Sequence, residues 1–204
     1  MHIISGLLKH TPLAAPPLNT TDIRPISGKI REALMSMFCD RISGGVIWDM
    51  FAGTGSFGLE AASRGAKEVI FFENDPLAKE LIQKNIALVE KRLQKNHPQL
   101  FLSLISCNLF ASVQEQRKSL RHYFIHKPPQ LIFADPPYAV CCQWLEMFLS
   151  FCEGIIEQPC YIIVKAGRKD QATIHDIFEK SAMMSLIKQK HYGKTSVFVA
   201  QNSS

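Results

Sequence analysis

The chain has 204 residues, 47% of them hydrophobic and 20% charged, with a formal net charge of +5. That balance suits one globular domain with a small extension and excludes a disordered chain. Lys9, His10 and Pro12 interrupt the apolar run around Ile3 and Ile4 before it reaches the length of a signal core or a membrane span, so the expectation is a cytoplasmic protein without membrane contact; separately, it is expected to be a monomer.

In chain order, a Pro-rich arm (Pro12, Pro16, Pro17, Pro25) leads into "SGKIREALMSMF", where Ile30, Leu34, Met37 and Phe38 recur at helical spacing and Ser27 stands where a cap belongs. Residues 1–45 therefore read as an N-terminal arm plus one amphipathic helix. From residue 46 onward, apolar strands alternate with helical patterns. The strands are "GVIWDM", "EVIFFE", "LFLSLIS", "QLIFAD" and "CYIIVK"; the helices centre on residues 57–64, 76–93, 109–120 and 141–153, with one more near 170–180. "MSLIKQK" and "TSVFVA" then flank the loop "HYGK" as a closing antiparallel hairpin would. Near-continuous apolar strands in repeated β-α order predict a parallel sheet covered on both faces. The fold class is α/β: a mostly parallel seven-stranded sheet of the Rossmann-like methyltransferase type, with a C-terminal antiparallel hairpin and a short N-terminal extension.

The strand ends hold the polar residues, where ligands of such sheets sit. After the first strand, "DMFAGTGSFG" places Gly53, Gly55 and Gly58 in a turn that lets a ligand approach the start of a helix. The same spacing occurs in dinucleotide sites, but Asp49 would repel a pyrophosphate there. A carboxylate at that position suits an ammonium or sulfonium group, and S-adenosylmethionine carries both, with a carboxylate for the amides. Glu73, at the end of the second strand, can accept from ribose hydroxyls, a role shared by NAD and S-adenosylmethionine sites. Asn108, after the third strand, falls where an amide would face an adenine edge; Asn is also common there simply as a helix cap.

The fourth strand ends in "FADPPY". Asp135 and the carbonyl of Pro136 can accept from an exocyclic amino group and aim its lone pair, Pro136 and Pro137 fix the backbone, and Tyr138 can stack on an extruded base. Six cysteines (Cys39, Cys107, Cys141, Cys142, Cys152, Cys160) show no C-x-x-C pair and no His at metal spacing, which points to reduced, mostly buried thiols and no metal site. Three basic stretches suit a polyanion or a solvated face: one within residues 1–45, one at Arg117, Lys118, Arg121 and Lys127, and one at Lys188, Lys190 and Lys194.

With these pieces placed, the chain resembles the RsmD family of bacterial 16S rRNA guanine-N2 methyltransferases. The resemblance runs from "IISG" (3–6), "RP" (24–25) and "REAL" (31–34) through "DMFAGTGSFGLEAASRGA" (49–66) and "DPPY" to "YGKT" (192–195). It implies methyl transfer from S-adenosylmethionine to N2 of a guanine in small-subunit rRNA, on an assembled or partly assembled subunit, with residues 46–204 as the methyltransferase domain. Asp49, Phe51, Ala52, Gly53, Thr54 and Gly55 would then hold the methionine part, Glu73 the ribose, Asn74 and Asn108 the adenine region, and Asp135, Pro136, Pro137 and Tyr138 the guanine amino group. Arg24, Lys29, Arg31 and Lys194 would hold RNA phosphates. The chain departs from the family pattern in "RPISGKIREAL", which includes Gly28, in Asn108 for a usual Asp, and in Lys165 for a usual Glu. D-P-P-Y also occurs in enzymes that methylate adenine N6 in DNA or a glutamine amide, and a silent RNA-binding module could keep the same fold.

Overall fold

The computed structural model describes residues 1–17, 26–93, 100–156 and 158–202, without the side chains of Arg117 and Ser119, and forms two compact units, Met1–Cys107 and Asn108–Ser204. Seven strands, mostly parallel and closed by an antiparallel hairpin, give the expected Rossmann-like class.

In the first unit, α1 (Gly28–Met37) starts where Ser27 is expected to cap it: the hydroxyl accepts from the Ile30 amide at 3.4 Å. A short α2 (Cys39–Ile42) leads into β1 (Val46–Met50). Strand β1 pairs in parallel with β2 (Glu68–Glu73), which pairs in parallel with β3 (Phe101–Ser106). Their apolar runs bury β1 and β2 almost completely, while β3 is half exposed, Phe101 at 55%. Between β1 and β2, every residue of α3 (Ser56–Ser63) is buried. Helix α4 (Pro76–Leu93) opens on proline, whose missing N–H costs nothing at a first helical position, and Asp75 Oδ1 accepts from the Ala78 amide at 2.8 Å.

The N-terminal arm is built into this unit. Glu60, fully buried in α3, accepts from the amides of Ile4 at 2.7 Å and Ser5 at 2.9 Å and from Arg64 Nε at 3.1 Å. Gly6 has a left-handed backbone (φ +81°), and a Cβ there would stand 2.0 Å from the Ser63 carbonyl oxygen, so only glycine fits. Ser63 completes the clasp, its hydroxyl donating to Ser5 O at 2.6 Å and accepting from the Leu8 amide at 3.0 Å. "IISG" and "GLEAAS" are thus two halves of one fastening.

In the second unit, β4 (Leu131–Ala134) pairs in parallel with β5 (Tyr161–Gly167). Strand β7 (Thr195–Asn202) runs antiparallel to β5 and to β6 (Met184–Tyr192), giving the order β4-β5-β7-β6. Helices α5 (Val113–His126), α6 (Cys141–Cys152) and α7 (Gln171–Lys180) accompany them. On α6, apolar residues at helical spacing form an aromatic core in which Trp144 stacks on Phe148 with ring centres 5.0 Å apart. Helix α5 begins four residues later than its apolar pattern predicts. Ser112 and Glu115 form a reciprocal capping box that sets the start, and Asn108 makes a turn of its own by accepting from the Phe110 amide at 3.0 Å. The six cysteines are free thiols, four of them buried, and burial pushes Cys141 up to about 12.

Candidate functional site

The first unit carries the glycine loop. Phe51, Gly53 and Gly55 all have left-handed backbones (φ +57°, +56° and +71°), so the chain between β1 and α3 turns at alternate residues. Phe51 does so despite its side chain, a costly conformation for a bulky residue and one that clusters at binding loops. Gly58 has another task. A Cβ there would lie 2.4 Å from the Phe71 ring and 2.7 Å from Val69, so this glycine lets α3 lie against β2 rather than bringing backbone to a ligand.

Two carboxylates brace the loop. Asp49 is 1% exposed, and its Oδ2 accepts from the Gly58 amide at 2.9 Å, tying the end of β1 to the first turn of α3. Half-buried Glu73 accepts from Gly53 at 2.9 Å through Oε2, and from Asn74 at 2.7 Å and Asp75 at 2.9 Å through Oε1. Buried Thr54 is held from two sides: Asn85 Nδ2 donates to its carbonyl at 3.0 Å, and its hydroxyl lies 3.7 Å from Met1 Sδ. Ala52 is buried beside it. Asn74 stays exposed.

The second unit carries the Asp-Pro-Pro-Tyr turn. Asp135 directly follows β4 and is only 14% exposed at its side chain; Lys165 of β5 is 12% exposed and places Nζ 2.7 Å from each Asp135 oxygen. Among the described residues Asp135 has no other hydrogen-bonding partner. Burial pushes its carboxyl above the usual aspartate value, and Lys165 draws it part of the way back. Pro136 is buried and Pro137 exposed. Tyr138 opens a 3-10 turn, its hydroxyl 2.8 Å from Thr195 Oγ1 and its ring centre 5.4 Å from Lys165 Nζ. Gly167, opposite Thr195 on β7, makes room: a Cβ there would meet Tyr138 Cδ2 at 3.4 Å and Asp170 Oδ2 at 2.8 Å. Asn108, exposed in the same unit, keeps its side-chain oxygen on the Phe110 amide.

Sequence reasoning named Asp135 and Tyr138 but gave no role to their supports, Lys165 and Thr195. Lys165 ends the apolar run "CYIIVK" and Thr195 closes "YGKT", but only the pairing of the strands brings them beside Asp135 and Tyr138. Glu60 was missed similarly, although a glutamate inside a wholly apolar helical stretch demands partners.

The expected phosphate contacts divide three ways. Lys29 and Lys194 are exposed, on α1 and at the hairpin turn where Gly193 has φ +62°. Arg24 lies outside the described residues. Arg31 departs from expectation: it is 3% exposed, its Nε is 3.5 Å from Glu60, and Nη2 donates to His2 O at 2.8 Å. Burial and the Glu60 charge make it a fastening for the arm rather than a phosphate ligand. Among the described residues no cluster of three or more His, Cys, Asp or Glu side chains is arranged to hold a metal, and no helix is long and apolar enough to cross a membrane.

Comparison with known proteins covers nearly the whole chain. The family model described as Conserved hypothetical protein 95 matches residues 1–201. The ribosomal RNA small subunit methyltransferase D of Haemophilus influenzae is 28% identical over 203 residues, 99% of this chain and 94% of that one. YlbH of Bacillus subtilis is 28% identical over 203 residues, 98% and 97% of the two chains. The solved structure of yhhF from Escherichia coli superposes with a TM-score of 0.70 at 21% identity, over 100% of this chain and 98% of its own, and supports the fold.

Proposed function

The chain belongs to the Conserved hypothetical protein 95 family, the RsmD family, and we propose that it is an S-adenosylmethionine-dependent rRNA methyltransferase whose target is the N2 amino group of a guanine in the small ribosomal subunit. The observation that carries the chemistry is Asp135: a part-buried carboxylate at a strand end, followed by two prolines and an aromatic ring, whose side-chain partner among the described residues is a lysine that can share it. An exocyclic amino group is a weak nucleophile because its lone pair is delocalised into the ring. Accepting one N–H on Asp135 and another on the Pro136 carbonyl turns the lone pair out of conjugation, and Asp135 is placed to receive the proton released when the N–C bond forms. Tyr138, fixed by Thr195, offers a face for the base.

The residues of the first unit fit the methyl donor. The loop turns through left-handed backbone at Phe51, Gly53 and Gly55, and acidic residues end the two strands beside it. Asp49 and residues 51–55 would hold the methionine part, Glu73 the ribose and Asn74 the adenine region, for which the second unit would add Asn108. Glu73 already accepts three amides, and a carboxylate has about four lone-pair sites, so a ribose hydroxyl finds one open before any amide yields. S-adenosylmethionine, when bound, supplies an electrophilic methyl group on a sulfonium that leaves as a neutral thioether. Arg24, Lys29 and Lys194 would meet RNA phosphates, with residues 1–45 as the docking side, in a monomer of the cytoplasm.

The test is incubation with methyl-labelled S-adenosylmethionine and either small-subunit particles or duplex DNA, followed by mass-spectrometric mapping of the labelled nucleotide. N2-methylguanosine in the rRNA is expected. Label confined to DNA, or at a different atom of the rRNA, would overturn the assignment, and cofactor binding without transfer would point to a silent module.

A further inference from the structure

Asp135 and Lys165 stand one residue beyond the paired Ala134 and Val164 on adjacent parallel strands, and Nζ is 2.7 Å from each carboxylate oxygen. With side chains only 14% and 12% exposed, neither partner has bulk water to replace the other. A carboxylate has about four lone-pair sites and Lys165 fills two, so an amino group can donate to Asp135 beside Lys165, whose third N–H then needs an acceptor on the same ligand. Lys165 has little freedom to leave. Its Nζ lies 5.4 Å from the centre of the Tyr138 ring, and that ring is anchored through its hydroxyl to Thr195.

The shared pair consequently presents one acceptor beside one donor. That is the pattern of a side-chain amide, which reads adenine through an amino group and the ring nitrogen next to it. The N2 amino group of guanine has two different flanks. On one side N1–H is a second donor and would face the ammonium, donor against donor. On the other, N3 is an acceptor and completes the match.

Resting on the guanine-N2 reading above, we propose that Lys165 is a specificity-determining residue that donates to guanine N3 while Asp135 accepts from N2, so that the second unit reads the N2–N3 edge of its target. The N1–H flank is then left to other contacts. Lys165 does not take part in the bond exchange; it fixes which edge Asp135 can serve.

The experiment compares single-turnover methyl transfer to small-subunit RNA carrying either guanine or 3-deazaguanine, which has C–H in place of N3, at the mapped target. Wild-type protein is expected to lose about tenfold or more in kcat/KM on the deaza substrate, the scale of one unpaired charged donor. Lys165→Met should be slow on guanine and indifferent to the exchange, and Lys165→Arg should keep part of the preference. Equal wild-type rates on the two RNAs overturn the edge assignment, and this arm needs no variant to fold. A full preference retained by Lys165→Met overturns it as well. Transfer to neither RNA by wild-type protein overturns the guanine reading itself and this inference with it, an outcome distinct from equal rates.

Discussion

Glu73 in the first unit and Asp135 in the second are carboxylates, each at the carboxyl end of a parallel strand, and they are satisfied in opposite ways. Glu73 accepts three backbone amides, two from its own turn and one from Gly53 across the glycine loop. Among the described residues, Asp135 accepts from a lysine side chain alone. Backbone amides cannot leave without refolding the segment that bears them, so Glu73 shapes a loop in advance of any ligand. A side-chain amine can share a carboxylate with a second donor, so Asp135 stays open to one. On the proposed reading, preorganisation belongs to the half that would hold the cofactor, and exchangeability to the half that would orient the nucleophile.

The largest effects should separate these halves. Asp135→Ala is expected to cut methyl transfer by roughly 10²- to 10⁴-fold, the range for a positioned acid or base, while cofactor affinity by calorimetry stays within a few-fold. A collapse of cofactor affinity would put Asp135 in the donor site and break the division. Glu60→Ala should instead act on folding. It leaves Arg31 buried without its anion and two arm amides without an acceptor, a loss of about 3–5 kcal/mol in urea unfolding. Stability unchanged within error would mean that the arm is not fastened through Glu60. Glu73→Ala falls between, with a loss of about 1.5–3 kcal/mol in cofactor affinity, and Glu73→Gln should recover part of it because the amide oxygen still accepts from Gly53. An unaltered dissociation constant for Glu73→Ala would remove it from the cofactor site.

The sequence disclosed the fold because its strands are long apolar runs and each ends in a residue type that turns or binds. It disclosed less about how those ends are held. Gly58 looked like the third glycine of a ligand loop, whereas it faces Phe71 and Val69; distinguishing the two needs the distance between helix and sheet. The family resemblance implies a phosphate role for Arg31, yet Glu60, 29 residues away in α3, draws it inward. Lys165 and Thr195 acquire meaning only when β5 and β7 bring them beside Asp135 and Tyr138. Pairings across strands are long-range facts, and periodicity carries only short-range ones.

The contrast also has a pH signature. Burial, opposed in part by Lys165, holds Asp135 above the value of 3.8 usual for aspartate, and the acceptor role proposed for it needs the carboxylate. Transfer should therefore fall as pH drops through that raised value, with the acidic limb of the single-turnover profile above the ordinary carboxylate range. Lys165→Met removes the opposing charge and should move the limb higher still. A limb at or below the ordinary value would show that the site is wetter than its geometry implies.

The smallest effects belong to the surface. Lys29 and Lys194 are exposed cations, one in each unit, and neither contributes to the buried pairs that distinguish the halves. If both meet RNA phosphates, Lys29→Ala and Lys194→Ala should each weaken binding uniformly across RNA sequences and reduce the slope of log affinity against log salt by about 0.7–0.9. The rate at saturating RNA should be unaltered, because phosphate contacts position the RNA and leave the amino group to Asp135. Arg31→Ala makes the instructive control. Its guanidinium is committed to Glu60 and His2, so the salt slope should stay as in the wild type while unfolding shifts to lower urea. A lowered slope with unchanged stability would return Arg31 to the RNA surface and take the arm's fastening away from Glu60.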